Sequence, residues 1–537
     1  MSNTDCSSMF PIPPKLRRQR ARKIRQQAIA LSEAKPLPVY LCNGEEAEYI
    51  RSHGVPLANY SKGLPHNAVG EVDRDAYAKL LAALSSGKPS DFEQIPLGSP
   101  NGRKLTNPQA GLAFDLEGFD AQALVIPPVA RLDSRQTAAE MIELYWMSLL
   151  RDVNFTDLPT HPDVGTAAAE LARYQTELAS PVPINSRTVF RGITRGDLAG
   201  PFISQFMLHD IPYGSLTISQ RQETVLAGRD YLTDFGRWLA VQNGVNPALP
   251  ELDPTRRYIR NMRDLARYVH VDALYEAYLN ATLILLGRDE LVDAGNPYKN
   301  TRVQAGFGTF GGPHILSLVT EVATRALKAV WFNKWFLHRR LRPEELGGRV
   351  EVHRKGTRRY PLHADILSSQ AHARVLSRFG TSLLPMAFPE GSPTHPAYGS
   401  GHATVGGACV TLLKAWFDGG LRLPLRVVVP NADGTDTVDY NGPDRDQLTI
   451  GGELDKLVGN IGVGRNMAGV HWRSDYIASI RLGEQIALEL LAEQSITYNE
   501  RSVFTVQLFD GSLVKIRDGN VIPESGPTAT ASAEDAA

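Results

Sequence analysis

Cysteine and long apolar runs are what this chain of 537 residues has least of. Its three cysteines, Cys6, Cys42 and Cys409, are spaced like neither zinc ligands nor a disulfide framework. This spacing favours unpaired thiols, and a single disulfide, for example between Cys6 and Cys42, is the alternative. No uninterrupted apolar run approaches the roughly 18–20 residues of a membrane span, and residues 1–14 lack the basic-then-apolar order of a secretion signal. We therefore expect a soluble protein without a transmembrane segment, cytoplasmic by default.

An excess of charge of one sign is also missing. The 57 Lys and Arg residues nearly balance the 58 Asp and Glu residues, so nothing favours nucleic acid or an anionic membrane as the partner. The one dense basic run, residues 15–25, has no interleaved aromatic residues. A solvated helical arm or a subunit contact is therefore favoured there over nucleic-acid binding or a localisation signal.

Helical periodicity is the main pattern that the sequence does contain. Apolar residues recur every three or four positions in the segments 137–153, 164–178, 224–243, 258–286, 315–336, 403–416 and 476–491. Turn signals predict two β-hairpins, one around residues 431–434 and one around Asp510-Gly511. The sequence therefore predicts a mainly α protein of helical-bundle type with a few short β-hairpins.

Composition divides the chain into three regions. Residues 1–132 are predicted to form a loop-rich N-terminal arm and wrapping region, because Pro, Gly, Asn and Ser are frequent from residue 40 onwards. Residues 133–524 are predicted to form the helical-bundle domain that carries the candidate catalytic residues. Residues 525–537, rich in Ala, Ser, Thr and Glu, are expected to be disordered. The stretches 204–216 and 295–312 are expected to be loops between helices.

The first cluster of candidate functional residues is Lys334 with Arg342-Pro343. Lys334 lies near the end of the predicted helix 315–336, and Arg342 follows eight positions later, where Pro343 disfavours helical geometry. Two permanent cations at the end of a buried helix need an anionic partner, because an uncompensated buried charge is costly. A surface ion-pair network is the alternative for this cluster alone.

The second cluster is the turn Ser400-Gly401-His402, which leads directly into the predicted helix 403–416. Its backbone amides would be unpaired at the helix start, where the helix dipole also favours a bound anion. A serine nucleophile with His402 as its base is a further possibility, but the Gly-x-Ser-x-Gly elbow is absent. A purely structural role for His402 is the remaining alternative.

The third cluster is Arg465 with His471, before the predicted helix 476–491. The two residues are six positions apart, about 240° around an ideal helix, so they cannot share one helical face. Gly464 and Gly469 predict instead that Arg465 lies on a turn while His471 stands at the helix entrance. Taken together, the three clusters supply the cations, the hydroxyl group, the helix-start amides and the imidazoles that a bound oxyanion requires.

The order of these clusters resembles the three-part signature of the vanadium-dependent haloperoxidases and the type 2 phosphatidic acid phosphatase superfamily. The strings LSLVTEVATRAL (316–327), HRRLRP (338–343) and MAGVH (467–471) look most like the vanadium bromoperoxidases of red algae and cyanobacteria. The match covers about residues 313–491. The chain departs from the family pattern at Gly399, where Pro is usual, and at Gly464, where the phosphatases usually carry Ser.

The resemblance implies a vanadate cofactor, one per subunit, and neither haem nor flavin. His471 would bond vanadium, and His402 would hydrogen-bond the apical oxygen and act as the acid/base group toward hydrogen peroxide. Lys334 would also polarise the activated peroxide. The equatorial oxygens would be held by Lys334, Arg342, Arg465, Ser400 and the amide of Gly401.

The activity implied is the oxidation of bromide by hydrogen peroxide to hypobromous acid, which then halogenates organic molecules. The resemblance also allows iodide as a substrate, and it does not decide whether chloride is oxidised. His395 supports bromide, because bromoperoxidases of the family carry His at this position and fungal chloroperoxidases carry Phe. Trp331 is a second candidate for the halide site: red-algal members tend to carry Arg there and other branches Trp. A core role is the alternative for Trp331.

Two other functions remain open at the level of the sequence. An acid phosphatase of the same superfamily would use His471 as the phosphate-accepting nucleophile and His402 to protonate the leaving group. A catalytically silent oxyanion-binding or assembly protein would leave His402 without a purpose. Metal analysis and halide-dependent turnover, compared with p-nitrophenyl phosphate hydrolysis, would distinguish the three.

The resemblance also bears on assembly and on calcium. Relatives form dodecamers built from dimers, so a homo-oligomer of that kind is expected, with the N-terminal region in the contacts. Calcium sites of some relatives lie near the segment that matches residues 295–304. That segment reads GNPYKNTRVQ here and has no carboxylate, so no calcium is expected at that place.

Overall fold

The structure is a computed structural model that describes residues 10–118 and 120–524. Cys6 and the tail predicted to be disordered, residues 525–537, lie outside the described residues. Cys42 is exposed and Cys409 is buried. Within the described ranges, no helix is both long enough and apolar enough to cross a membrane.

Helices account for most of the regular structure, as predicted. The helices of the described residues are α1 (Pro14–Glu33), α2 (Glu45–His53), α3 (Arg74–Ser86), α4 (Pro89–Phe92), α5 (Arg135–Leu149), α6 (Pro162–Leu171), α7 (Arg195–Leu198), α8 (Phe235–Gln242), α9 (Met262–Val271), α10 (Glu276–Leu285), α11 (Gly312–Phe332), α12 (Pro343–Arg354), α13 (Asp365–Ser368), α14 (Gln370–Phe379), α15 (Gly401–Trp416), α16 (Ile450–Met467) and α17 (Arg473–Ser495).

The strands are short and antiparallel. They are β1 (Ile211–Tyr213) with β2 (Leu216–Ile218), β3 (Val428–Pro430) with β4 (Thr437–Asp439), and a three-stranded sheet of β5 (Phe504–Gln507), β6 (Leu513–Arg517) and β7 (Asn520–Pro523). Both predicted hairpins are confirmed. β1 lies in the stretch 204–216, which is predicted to be a loop, and β2 begins at the end of that stretch. Neither this hairpin nor β7 is predicted, because three or four residues carry too short a pattern.

Two of the predicted helices differ in the structure. The segment 224–243 is helical only from α8 onwards, because Gly228 and Leu232 adopt positive φ angles of 71° and 58° and interrupt it. The predicted helix 258–286 is divided into α9 and α10 by the extended backbone of Asp272, with φ −61° and ψ 144°. This division leaves the Asp272 side chain at a helix end, where it reaches the functional site.

The N-terminal region is less irregular than its composition predicts. It contains α2, α3 and α4, and the Asp73 carboxylate caps α3 by accepting a hydrogen bond from the Ala76 amide at 2.9 Å. The expectation of a purely irregular layer is therefore wrong for these segments. α1, which contains the basic run, buries no residue. The boundaries of the three regions stay predictions.

The core is centred on α15, which is buried over its whole length except at His402. It packs closely against α17 because glycines face the crossing. A Cβ atom at Gly407 would lie 2.1 Å from the Ile480 carbonyl oxygen, and one at Gly483 would lie 2.1 Å from that of Thr404. Since α15 begins at the Ser400-Gly401-His402 turn and α17 begins just after His471, this crossing brings two of the predicted clusters together.

Candidate functional site

Ser400 is the N-cap of α15, and its Oγ accepts a hydrogen bond from the Ala403 amide at 3.4 Å. The prediction that three amides are unpaired here is wrong for Ser400, whose N–H donates to Ser479 Oγ at 2.7 Å. The amides of Gly401 and His402 have no acceptor among the described residues. Two free N–H groups at the positive end of a buried helix form a site for an anion.

Lys334 lies in a π-helical turn, Asn333–His338, that continues α11. The wider turn points the lysine toward the start of α15, and Nζ donates to the carbonyl oxygens of Pro396 at 2.9 Å and Ala397 at 3.2 Å. The side chain is fully buried. Burial, together with the charge of Arg342, lowers the pKa of Lys334 well below its usual value.

Arg342 precedes α12 and joins the other clusters. Its Nε donates to the His395 carbonyl at 2.9 Å and Nη1 donates to that of Val470 at 2.7 Å. Nη2 lies 2.9 Å from His395 Nδ1, and Nη1 lies 2.9 Å from His471 Nε2. Burial lowers the pKa of the fully buried guanidinium to about 10. Arg342 thus fixes the positions of two histidines while it remains charged.

Arg465 occupies the last turn of α16, so the prediction that it lies on a turn is wrong. The helix continues through Gly464, where a Cβ would lie 3.1 Å from Leu265 Cγ, so glycine allows close packing of α9 at this point. The chain reverses at Gly469, with φ 83°, and His471 follows outside the helix, as predicted. The two residues can therefore reach one site.

The guanidinium of Arg465 is buried and has few partners. Nη1 donates to the Val269 carbonyl, the group lies 5.9 Å from the Phe388 ring centre, and Nε has no hydrogen-bond acceptor among the described residues. Burial lowers the pKa of Arg465 to about 10. The guanidinium therefore keeps donors that an anionic ligand could satisfy.

His471 is oriented by Asp475, a residue that the sequence analysis missed. Nδ1 lies 2.8 Å from Asp475 Oδ2, which also accepts from the Trp472 amide at 3.0 Å. A carboxylate partner places the proton on Nδ1 and leaves the Nε2 lone pair for a metal. Burial and the charges of Arg342 and Lys334 lower the pKa of His471 well below its usual value. The spacing of four residues at a helix start was the available signal.

His402 has a different partner, Asp272. Its Nε2 lies 3.0 Å from Asp272 Oδ1, and the His402 side chain is 15% exposed. Burial lowers the pKa of His402, and the Asp272 carboxylate opposes that shift. Burial alone would raise the pKa of Asp272, but the charge of His402 holds it below its usual value. No local pattern could have predicted this pair, because 130 residues separate its members.

His395 and Trp331 form one wall of the site. Their ring centres lie 4.8 Å apart, and a Cβ on Gly401 would approach the Trp331 ring to 3.1 Å. Trp331 is half-buried, and its Nε1 donates to the Thr106 carbonyl at 3.2 Å. Burial and the charges of Lys334 and Arg342 lower the pKa of His395 well below its usual value. The neutral imidazole therefore packs against the indole, and the indole contacts the start of α15 at Gly401.

The residues of the three clusters fit a bound oxyanion such as vanadate. The cations Lys334, Arg342 and Arg465 are all buried, and none makes a salt bridge within residues 10–118 and 120–524. In the same part of the chain, no group of three or more His, Cys, Asp or Glu side chains could hold a simple metal cation. The site therefore favours a ligand with several negative charges and one bond from an imidazole.

Comparisons with known proteins agree with this chemistry. A family model described as the VCPO second helical-bundle domain matches residues 368–498. The vanadium-dependent bromoperoxidase of Corallina officinalis is 36% identical, over 92% of this chain and 97% of that protein. The one of Corallina pilulifera is 37% identical over 86% and 91%, and the one of Ascophyllum nodosum is 39% identical over 86% and 87%.

A solved structure is similar over nearly the whole chain. The homohexameric structure of the second vanadate-dependent bromoperoxidase of Ascophyllum nodosum aligns with a TM-score of 0.91 and 29% identity, covering 97% of this chain and 95% of that one. The mainly helical fold is thus shared, and the resemblance noted in the sequence is confirmed. The chain belongs to the vanadium-dependent bromoperoxidase family.

Proposed function

We propose that this protein oxidises bromide with hydrogen peroxide to hypobromous acid, using vanadate bound at the start of α15. The observation that carries the proposal is the environment of His471. Its Nδ1 is engaged by Asp475, so Nε2, which lies 2.9 Å from Arg342 Nη1, is the nitrogen that would bond vanadium in place of that contact. The buried cations Lys334, Arg342 and Arg465 act on His471, and none of the three makes an ion pair with a carboxylate of the described residues. This combination suits a metal oxyanion better than a substrate that only needs charge compensation.

Each residue would have a distinct task. His471 would bond vanadium, and Gly401 would donate its free amide to an oxygen. Bound vanadate would supply Lewis-acid activation of hydrogen peroxide toward attack by bromide. The remaining groups around the oxygens would be Lys334, Arg342, Arg465 and Ser400.

His402 would move the protons. The overall reaction, in which bromide, hydrogen peroxide and one proton give hypobromous acid and water, would require a group that takes protons from the peroxide and supplies protons to the departing oxygen. A histidine that hydrogen-bonds a carboxylate at Asp272 and is 15% exposed can exchange protons with solvent between turnovers. Lys334 would polarise the peroxide, since its Nζ is held between two carbonyl oxygens and keeps a donor for the ligand.

Bromide is the proposed halide, with iodide as a further substrate and chloride unassigned. His395 packs against Trp331, which contacts Gly401, and a neutral imidazole beside Arg342 offers an N–H donor to a large, weakly hydrated anion. We therefore keep both residues as candidates for the halide site. Small organic nucleophiles would be halogenated by the released oxidant.

The test is bromination of monochlorodimedone by vanadate-loaded protein. We expect His471→Ala to abolish the vanadate-dependent rate, because it removes the nitrogen that would bond vanadium. His372→Ala is a matched control, since the side chain of that buried histidine bonds Ser382 Oγ at 2.8 Å and contacts none of the residues of the three clusters. Equal rates for wild-type protein and His471→Ala would refute the proposal.

An acid phosphatase is not favoured, because the relatives that match most of the chain are bromoperoxidases. In that alternative His471 would attack phosphorus, and p-nitrophenyl phosphate would be hydrolysed without halide. A silent oxyanion-binding protein would catalyse neither reaction. The same preparation, assayed with both substrates, distinguishes all three.

We also propose that the protein is a homo-oligomer with one vanadate per subunit. The homohexameric state of the Ascophyllum nodosum relative supports self-association. Assembly of dimers into a dodecamer stays a prediction, which the mass of the particle in solution would decide. The exposed basic helix α1 is available for such contacts.

A further inference from the structure

Arg340 is a charged residue of the HRRLRP segment that takes no part in the anion site itself. Its side chain is 3% exposed, and it makes three hydrogen bonds to groups around the start of α17. Nη1 donates to Ser474 Oγ at 2.8 Å and to Asp475 Oδ1 at 2.9 Å, and Nη2 donates to Glu140 Oε2 at 2.8 Å. Arg340 therefore holds the carboxylate that orients His471.

Glu140 completes the arrangement from α5. It is buried, and its second oxygen, Oε1, accepts from the Ser474 amide at 2.7 Å. The side chains Glu140, Arg340 and Asp475 thus form a buried row of alternating charge that ends at His471 Nδ1. Each carboxylate and the guanidinium is hydrogen-bonded on both sides, which is the condition for a stable buried ion network.

The row has an electrostatic consequence for His471. Asp475 faces the buried cations of the anion site, since its charge also acts on Lys334 and Arg342. Arg340 Nη1 holds Asp475 Oδ1 at 2.9 Å, which leaves Oδ2 facing His471 Nδ1 at 2.8 Å. Glu140 partly neutralises the positive charge of Arg340. Asp475 therefore keeps more of its negative charge and remains a strong acceptor for the imidazole N–H.

We propose that Arg340 and Glu140 are positioning residues that set the strength of the His471–Asp475 hydrogen bond and, through it, the affinity of His471 for vanadium. The inference rests on the proposed vanadate site. A partner outside the ligand shell typically changes metal affinity about 10- to 100-fold, because it tunes the basicity of the ligating imidazole.

The experiment compares two anions on Glu140→Gln by isothermal titration at one pH. Vanadate would use the cations, the amides and the bond from His471, whereas phosphate serves as a probe of the cations and amides. We expect the vanadate dissociation constant to rise about 10- to 100-fold. The phosphate dissociation constant is expected to change less than about threefold, because the charged groups that bind it are untouched.

The same helix offers a matched control. Glu143 is also buried in α5 and accepts from Arg473 Nη1 at 2.9 Å, near the start of α17 but without contact to Asp475. Glu143→Gln removes a comparable buried carboxylate and should leave the ratio of the two affinities unchanged. If Glu140→Gln does not fold, the same two titrations are made on Arg340→Lys, with Arg473→Lys as its control. Lysine cannot hydrogen-bond three partners at once as Arg340 does, so Arg340→Lys should selectively weaken vanadate binding.

Each outcome has one meaning. The inference would be overturned if Glu140→Gln weakened the affinities for vanadate and phosphate equally. It would also be overturned if Glu143→Gln weakened the affinity for vanadate alone. Failure of the proposed function is recognised separately: vanadate would then bind His471→Ala as tightly as wild-type protein.

Discussion

At the scale of single residues, the two histidines next to the anion site differ in their partners. Burial and the neighbouring cations lower the pKa of His471 well below the usual value, which favours the neutral imidazole, whose Nε2 faces Arg342 Nη1 at 2.9 Å. The pKa of His402 is also lowered by burial, but the Asp272 carboxylate opposes this shift. Environments that separate the pKa values of two like groups commonly divide their roles. A metal ligand and a proton carrier are the roles that this pair fits.

Replacement of the partner of His402 should shift the pH dependence of bromination. Asp272→Asn removes the negative charge that raises the pKa of His402, so that pKa falls further. The limb of the pH profile that reports His402 is then expected to move to lower pH, while vanadate binding persists. The measurement is the rate of bromination against pH at saturating vanadate.

The control for this shift is a second histidine–carboxylate pair. His363 Nδ1 lies 3.7 Å from Asp365 Oδ1, and Asp365→Asn should leave the limb in place. A profile of Asp272→Asn that coincides with that of wild-type protein would remove His402 as the proton carrier.

Removal of His402 itself should separate catalysis from cofactor binding. His402→Ala is expected to lower the bromination rate by about 10²- to 10⁴-fold, the usual contribution of a positioned acid/base group. Vanadate should still bind, because His471 and the cations are unchanged. Parallel measurements of the rate and of the vanadate dissociation constant test this. If vanadate affinity fell by the same factor as the bromination rate, His402 would not be an acid/base group that acts only in catalysis.

At the scale of elements, the crossing of α15 and α17 brings the Ser400-Gly401-His402 turn close to His471. Gly407→Ala would place a methyl group 2.1 Å from the Ile480 carbonyl oxygen. The helices must then move apart, and overpacking of this kind costs roughly 1–3 kcal/mol. We expect a lower thermal midpoint and weaker vanadate binding for this variant.

Gly165 in α6 provides the opposite case. It is exposed, and a Cβ there would meet nothing within 4 Å. Gly165→Ala should therefore stabilise the protein by roughly 0.5–1 kcal/mol, because glycine is entropically costly inside a helix. Thermal melts of both variants at one protein concentration make the comparison. Similar shifts for the two substitutions would argue against a tight α15–α17 crossing.

The elements also illustrate how far sequence patterns reach. Periodicity predicted α5, α11, α15 and α17, because each buries a regular apolar face. It did not predict α16, whose last turn contains Arg465, and the glycine at 464 serves close packing there rather than a turn. It also did not predict the break at Asp272, which is visible only in the backbone angles.

At the scale of the whole molecule, three buried cations without carboxylate partners should make stability depend on anions. Vanadate or phosphate binds only the folded state and should stabilise it by about 2.7 kcal/mol at 100 times the dissociation constant. We expect the thermal midpoint to rise with either anion and to fall again after its removal by dialysis. Arg465→Ala should weaken this response.

The control for the response is an arginine at the surface. Arg422 pairs with Asp446 at 3.1 Å, and its side chain is 68% exposed. Arg422→Ala should keep the full effect of the anions. An anion effect of the same size in Arg465→Ala as in wild-type protein would mean that the stabilising anion binds elsewhere.

The sequence by itself determined the helical class, the three clusters and their common chemistry. These follow from local rules: apolar periodicity, the proline after Arg342, and a small-residue turn at a helix start. Only the tertiary structure decided which carboxylate serves which histidine, that Trp331 meets His395, and that Glu140 and Arg340 stand behind Asp475. Those pairs join residues far apart in the chain, and their distances depend on how the helices cross. No periodicity or spacing along the sequence encodes a helix crossing.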